Sequence, residues 1–434
     1  MTIEQIGIER VNINSRRGSP RSLFTLWFAA NLTIADFAIG FIPIAIGLNF
    51  ESAFISIIIG NILGSIIVSL SAIMGPKTGY PQMMGTTNSM GRSIMKFFGI
   101  VNLSNTLGWF IINNILSVIA LYLIIRVYYV FLLLLFVLFV YIIALVGHDF
   151  IHKIERILSY VLGILFLLIF IRIFLDGDMK FVNPGHVSLG ISFFGMIAFS
   201  YSYLMSWGPY ASDYSRYLPE NVNLKSVFLN VFLGSLISTT FVELVALIIS
   251  YATLNSSPLS SLALISGKFY ILSLITIVLG GISANVLNLY SSALSGLVGG
   301  IRIKRTRFVG IIAIIGLILS IFFYSGFYQF FESFLFILDY WISPWVAILI
   351  IDFLVFKEFK LNFQTGINPE GLFSYLGGLS VSIPFMNISI GSYSYTFPLS
   401  RYLGGIDISY FISFIVAGII YYTLKKRRRN KHYV

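Results

Sequence analysis

The sequence predicts an all-α polytopic membrane protein of twelve transmembrane helices. Three observations predict it. Of its 434 residues 57% are hydrophobic and only 10% charged; its mean hydropathy is +0.91; and its apolar residues fall in runs of about 20, the length that crosses a bilayer as a helix. A soluble domain carries roughly 25% charged residues, so a water-soluble enzyme or binding domain fits poorly. The formal charge of +11 would suggest nucleic acid in a soluble protein. Here the basic residues sit in short loops between apolar runs, where they set orientation, and no nucleic-acid partner is expected. Without cysteine there is no disulfide, thiol nucleophile or thiolate metal site.

The runs lie near 23–48, 52–74, 97–125, 127–146, 157–175, 190–212, 227–250, 269–299, 308–325, 328–353, 371–390 and 405–424. The opening segment MTIEQIGIERVNINSRRGSPR is polar, lacks a signal-peptide core, and reads as a cytoplasmic lead-in over 1–22. Only Arg126 separates spans 3 and 4, and only Ser325-Gly326 separates spans 9 and 10. With the N-terminus inside, 23 of the 28 Lys and Arg fall in inner loops, leaving Arg126, Arg172, Lys180, Lys268 and Arg401 outside. This asymmetry predicts both termini in the cytoplasm and a multi-pass protein of the plasma membrane. The tail at 425–434, with its KKRRRNK cluster, fits contact with anionic lipid.

Two spans do not read as ordinary helices. Span 1, LFTLWFAANLTIADFAIGFIPIAIGL, carries Asn31, Thr33, Asp36, Gly40 and Pro43. Span 6, GISFFGMIAFSYSYLMSWGPYAS, carries Ser200, Ser202 and Ser206 before Gly208-Pro209. In hydrocarbon, interrupted backbone must be satisfied inside the protein or line a cavity. The two spans stand five apart, as equivalent helices do in a five-plus-five inverted repeat, and paired interruptions point to a transport site. Close packing through small residues is the competing reading. Span 8, LGGISANVLNLYSSALSGLVGG, adds Ser283, Asn285 and Asn288, and span 3 places Trp109 and Asn113 four apart on one face. A mid-membrane Asn needs a partner, in another helix or a ligand. Trp109 lies well inside its span, where stacking on a ligand competes with core filling.

Four motifs carry a family resemblance: GPKTGYPQMMGTTNSMGR (75–92), GWFIINNIL (108–116), WGPYASDYSRYLP (207–219) and SANVLNLYSSALSG (283–296). In order and spacing, over nearly the whole chain, they resemble the nucleobase–cation symporter-1 family, the purine/cytosine permeases and their relatives. The resemblance implies a leucine-transporter-type core, with spans 1–5 (23–175) repeated inverted in spans 6–10 (190–353) and spans 11–12 (371–424) outside it. It places substrate near the midplane between spans 1, 3, 6 and 8. Trp109 would stack on the heterocycle, Asn113 resembles the purine/cytosine branch, and Asn285 would bond the ring edge. Tyr203 or Leu204 would be the span-6 contact with Ser206 nearby, and Ile34 at the span-1 break would also bind substrate.

The sodium site implied by the resemblance would use backbone carbonyls of Ala30, Thr33 and Gly280 and two hydroxyls. Ser283 supplies the first, but the second position is Ala284. Losing an oxygen ligand weakens sodium coordination, while a buried acid such as Asp36 can carry a proton. Protons are therefore favoured over sodium. Glu243 and Asp339 are the other intramembrane acids, and Asp213 and Arg216 read as structural or gating residues. The expected function is a monomeric symporter importing a nucleobase, foremost a purine or cytosine, by alternating access. Its partners would be the small heterocycle, a coupling cation (proton or sodium) and membrane lipid, without a cofactor. Rivals are a carrier of allantoin, hydantoin, uracil or a vitamin ring such as thiamine, and a membrane enzyme. The enzyme reading lacks a convergent site: His148-Asp149-Phe150-Ile151-His152 mimics a two-histidine metal spacing but has Asp where Glu is needed and no evident third ligand.

Overall fold

The computed structural model describes residues 3–175, 190–254, 257–363, 366–390 and 393–431. Within 327–339 it describes only the side chains of Phe334, Ile337 and Leu338, so the Asp339 side chain lies outside what is described, as does the whole of Lys180. Each of the twelve apolar runs contains a helix. Among the described residues seven helices are long and apolar enough to cross a membrane alone, and eight when the two halves of span 1 count as one. Spans 6 (Ile191–Met205) and 11 (Pro369–Ser382) are shorter, at 15 and 14 residues. The run expected at 371–390 stops as a helix at Ser382; a turn containing Pro384 and an antiparallel hairpin, Asn387–Ile390 with Tyr393–Thr396, follow.

Left-handed residues cut the long apolar stretches where single-residue separators were expected. Arg126, at φ 58°, ends span 3 (Arg92–Ile125) by donating its N–H to Tyr122 O. Gly326, at φ 126°, precedes span 10 (Phe327–Ile350). Span 5 (His148–Leu175) begins nine residues before the expected 157, directly after Gly147 at φ 104°. Large apolar side chains such as Leu134, Leu138, Phe139, Ile164, Leu168, Ile314 and Ile318 face outward from spans 4, 5 and 9. A surface this apolar belongs in lipid.

Span 1 is broken into Arg21–Ala30 and Ile34–Ala45, which meet at 57°. The sequence dictates the break locally. Asn31 Nδ2 folds back on Trp27 O at 2.7 Å, and Thr33 is extended, its Oγ1 capping the next helix by accepting from Asp36 N at 3.2 Å. Span 6 ends at Met205, and Asn105 and Asn102 of span 3 donate to the freed carbonyls of Ser206 (3.4 Å) and Pro209 (3.3 Å). The Gly208–Pro209 interruption is thus satisfied by a neighbouring helix, as hydrocarbon requires.

The opening segment is stitched down rather than loose. Glu4 N bonds Val146 O, Val11 N bonds Gly79 O, and Arg17 N bonds Tyr217 O. Asp213 and Arg216 do not pair with each other among the described residues. Asp213 accepts from Gln82 N at 2.9 Å, whereas Arg216 donates to Gly7 O and to the Tyr217 and Tyr290 hydroxyls and lies 3.8 Å from Glu4. Both lock the basic-loop end of the bundle.

Candidate functional site

The two breaks meet at the centre. Thr33 Oγ1 lies 3.3 Å from the Tyr203 hydroxyl, joining span 1 to span 6. On the basic-loop side, Trp27 meets the rings of Trp207 and Tyr214 edge-on at 5.4 and 6.0 Å. Trp109 of span 3 stands beside this junction, its ring meeting Tyr203 and Phe334 edge-on, each at 5.4 Å. Phe334 was missed in the sequence because the aromatic-rich stretch FYQFFESFLF gives no sign of which ring turns inward.

The structure separates Tyr203 from Leu204. Tyr203 faces Trp109, while Leu204 lies against span 2 (Phe50–Ala72), where a Cβ added at Gly64 would be 2.6 Å from Leu204 Cβ. Leu204 is therefore not at the ring site: successive helical residues point about 100° apart, so both could not face Trp109. Ser206 bonds Tyr203 O at 2.6 Å and caps its own helix end. Ile34 turns to an apolar niche with Phe37, Phe166 and Leu262, away from the ring cluster.

The two expected amides differ. Asn113 donates Nδ2 to Trp109 O at 2.9 Å, and its buried Oδ1 has no partner among the described residues. Asn285 is engaged on both ends of its amide. Its Nδ2 donates to Phe110 O (3.0 Å) and Asn114 Oδ1 (2.8 Å), and its Oδ1 accepts from Asn288 Nδ2 (3.3 Å). Asn114 and Asn288 extend the chain to Ser320 and Tyr210. Asn285 thus ties span 8 to span 3, and Asn113 offers the acceptor next to Trp109.

The residues expected to serve a sodium site and the acid expected to carry a proton lie in different places. Gly280 lies against the span-1 break: a Cβ there would sit 2.1 Å from Leu32 O. One turn on, Ser283 Oγ donates to the carboxyl of Glu155 on span 5. Ala284 is buried and contributes no side-chain oxygen; Ala30 is buried at the end of the first half-helix. Asp36 lies elsewhere, its buried carboxyl beside that of Glu243 on span 7 (Leu224–Thr253). Glu243 Oε2 also accepts from Asn61 Nδ2 (2.9 Å) and Ser200 Oγ (2.8 Å). Asp36's oxygens have no N–H or O–H donor among the described residues. Two carboxyls in contact are joined only when they share a proton.

Two broken helices meeting at a ring-and-amide cluster, inside a bundle with a lipid-facing surface, define a membrane permease rather than an enzyme. The chain belongs to the family described as permeases for cytosine/purines, uracil, thiamine and allantoin, whose sequence model matches residues 10–416. It is similar to YxlA of Bacillus subtilis strain 168, whose name as a purine-cytosine permease is provisional, at 29% identity over 99% of this chain and 98% of that protein. It is similar to the purine-cytosine permease fcyB of Emericella nidulans at 26% identity, covering 98% of this chain and 89% of the relative. Its fold matches Mhp1, a nucleobase-cation-symport-1 family transporter solved in a closed conformation with bromovinylhydantoin bound. That match has a TM-score of 0.80 at 16% identity, over 96% of this chain and 93% of Mhp1.

Proposed function

We propose that this permease is a secondary active symporter that imports a nucleobase, foremost a purine or cytosine, together with a proton. The observation that carries the substrate reading is the Trp109 ring with the buried, unpartnered Asn113 Oδ1 one turn along span 3. A nucleobase offers a π-face to the ring and an edge with N–H donors to the amide oxygen. The exocyclic amine of adenine or cytosine is such a donor. The tie between Thr33 and Tyr203 makes substrate contact at span 6 felt at the span-1 break, which suits alternating access. Proton coupling is supported by Ala284, by the engagement of the Ser283 hydroxyl with Glu155, and by the Asp36–Glu243 pair.

Competition uptake into proteoliposomes tests the substrate class. Purines and cytosine should displace labelled substrate, with uracil, allantoin, hydantoins and thiamine weaker; displacement by only a hydantoin or thiamine would replace this reading with its rival. The reading includes a plasma-membrane location, both termini cytoplasmic and action as a monomer. The orientation follows from the basic loops. Because the chain has no cysteine, Ser257→Cys gives a clean probe: impermeant thiol reagents should label it from outside the cell. Labelling only from the cytoplasm would invert the topology.

A further inference from the structure

Glu155 has no part in the substrate site, yet its chemistry demands one. It is fully buried on span 5, and its Oε1 has no partner among the described residues. Oε2 accepts from Ser283 Oγ, the group that faces it from span 8. A carboxyl in so dry a place persists only as the neutral acid or beside a cation. Counting back along span 5, His152 and His148 stand three and seven residues before Glu155, so all three lie on one helix face.

That face leads out of the bundle. The His148 and His152 rings are 4.3 Å apart. Both line a cleft of about 470 Å³ at the basic-loop end, together with Arg17, Ser22 and Tyr214. The charged and polar groups around the two rings come from three elements. Span 5 contributes Asp149, whose Oδ1 is 3.3 Å from His148 Nδ1, and Lys153 and Arg156. The opening segment contributes Arg17, paired with Asp149, and Glu4, which accepts from His148 N. The segment after span 6 contributes Tyr217, stacked on His148 at 3.8 Å, and the Tyr214 carbonyl, 3.1 Å from His148 Nε2.

We propose that Glu155 is a proton-binding site and that His152 passes its proton to the cleft. The proposal rests on the proton-coupled reading above and adds an inner acid to the Asp36–Glu243 pair. In the loaded form Glu155 is a carboxylic acid. On release its O–H proton goes to a ring nitrogen of neutral His152, which gives up the proton on its other nitrogen to water in the cleft that it lines. His148, its ring nitrogens turned to Asp149 Oδ1 and the Tyr214 carbonyl, packs against the His152 ring and positions it. Glu155 is left for the moment as a carboxylate accepting from Ser283, a costly state that drives its reloading with a proton, and the His152 imidazole returns to neutral.

The test uses the full-length protein in proteoliposomes, comparing substrate counterflow with accumulation driven by a pH gradient. Counterflow exchanges substrate without net proton release. Glu155→Gln should keep counterflow within about twofold but lose gradient-driven accumulation by about 10²-fold, the scale of removing a positioned proton-transfer group. Glu155→Asp should recover part of the accumulation. His152→Asn should slow accumulation and shift its dependence on internal pH while sparing counterflow. Wild-type-like accumulation in Glu155→Gln, with wild type still moving protons, overturns this proposal and leaves the coupling reading standing. Loss of counterflow in both Glu155→Gln and Glu155→Asp makes Glu155 a packing residue and also overturns it. Wild type that moves no protons and requires sodium overturns the coupling reading itself.

Discussion

Replacing Trp109 with Ala is expected to weaken binding of every transported base by about 5- to 150-fold, because base–aromatic stacking contributes roughly 1–3 kcal/mol. The ring is buried and held edge-on by Tyr203 and Phe334, so it is positioned before substrate arrives. Asn113→Ala should cost roughly 1–3 kcal/mol for bases that donate to Oδ1 and little for those that do not. Asn113→Gln, one methylene longer, should reorder preference among bases rather than abolish uptake. Asn285→Ala is the control: its amide joins spans 3 and 8, so thermal stability should fall while affinity per folded molecule holds. Calorimetric binding and thermal unfolding on purified variants separate the two effects. Unchanged affinity in Trp109→Ala would end the stacking assignment.

Asp36→Asn is expected to abolish accumulation against a gradient while sparing downhill entry. Asp36 and Glu243 lie in contact beside the span-1 break, and Asn61 and Ser200 already supply the donors to Glu243 Oε2. Under the proton-coupled reading proposed above, a proton is the link that joins the two acids, and the pair gains and loses it as a unit. An Asn at 36 keeps a hydrogen-bond donor toward Glu243, so folding should survive although the proton has no second carboxyl to share. The sign follows: with the proton a co-substrate from outside, wild-type uptake should rise as external pH falls and depend little on sodium. In Asp36→Asn that pH dependence should flatten. Strict sodium dependence at fixed pH would reverse the assignment, and Ala284→Thr would then be expected to tighten sodium binding by restoring a hydroxyl ligand.

The sequence by itself determined what local signals encode. Run length placed the helices, Arg126 and Gly326 divided the long apolar stretches, and Asn31 and Thr33 broke span 1 within three residues of chain. The i, i+4 spacing put Asn113 beside Trp109. Only the tertiary structure decided which way each helix is turned. It set Tyr203 toward Trp109 and Leu204 onto Gly64, sent Asp36 to Glu243 and Ser283 to Glu155, and engaged both ends of the Asn285 amide. Glu155 was hidden because a run counted from 157 left it in a loop, although its spacing from His148 and His152 is helical. The physical reason is common to all of these. A helix in lipid is apolar on most of its surface, so no hydrophobic stripe marks its inner face. Its rotation is fixed by glycine contacts and by hydrogen bonds to residues more than a hundred positions away, such as Glu155 with Ser283.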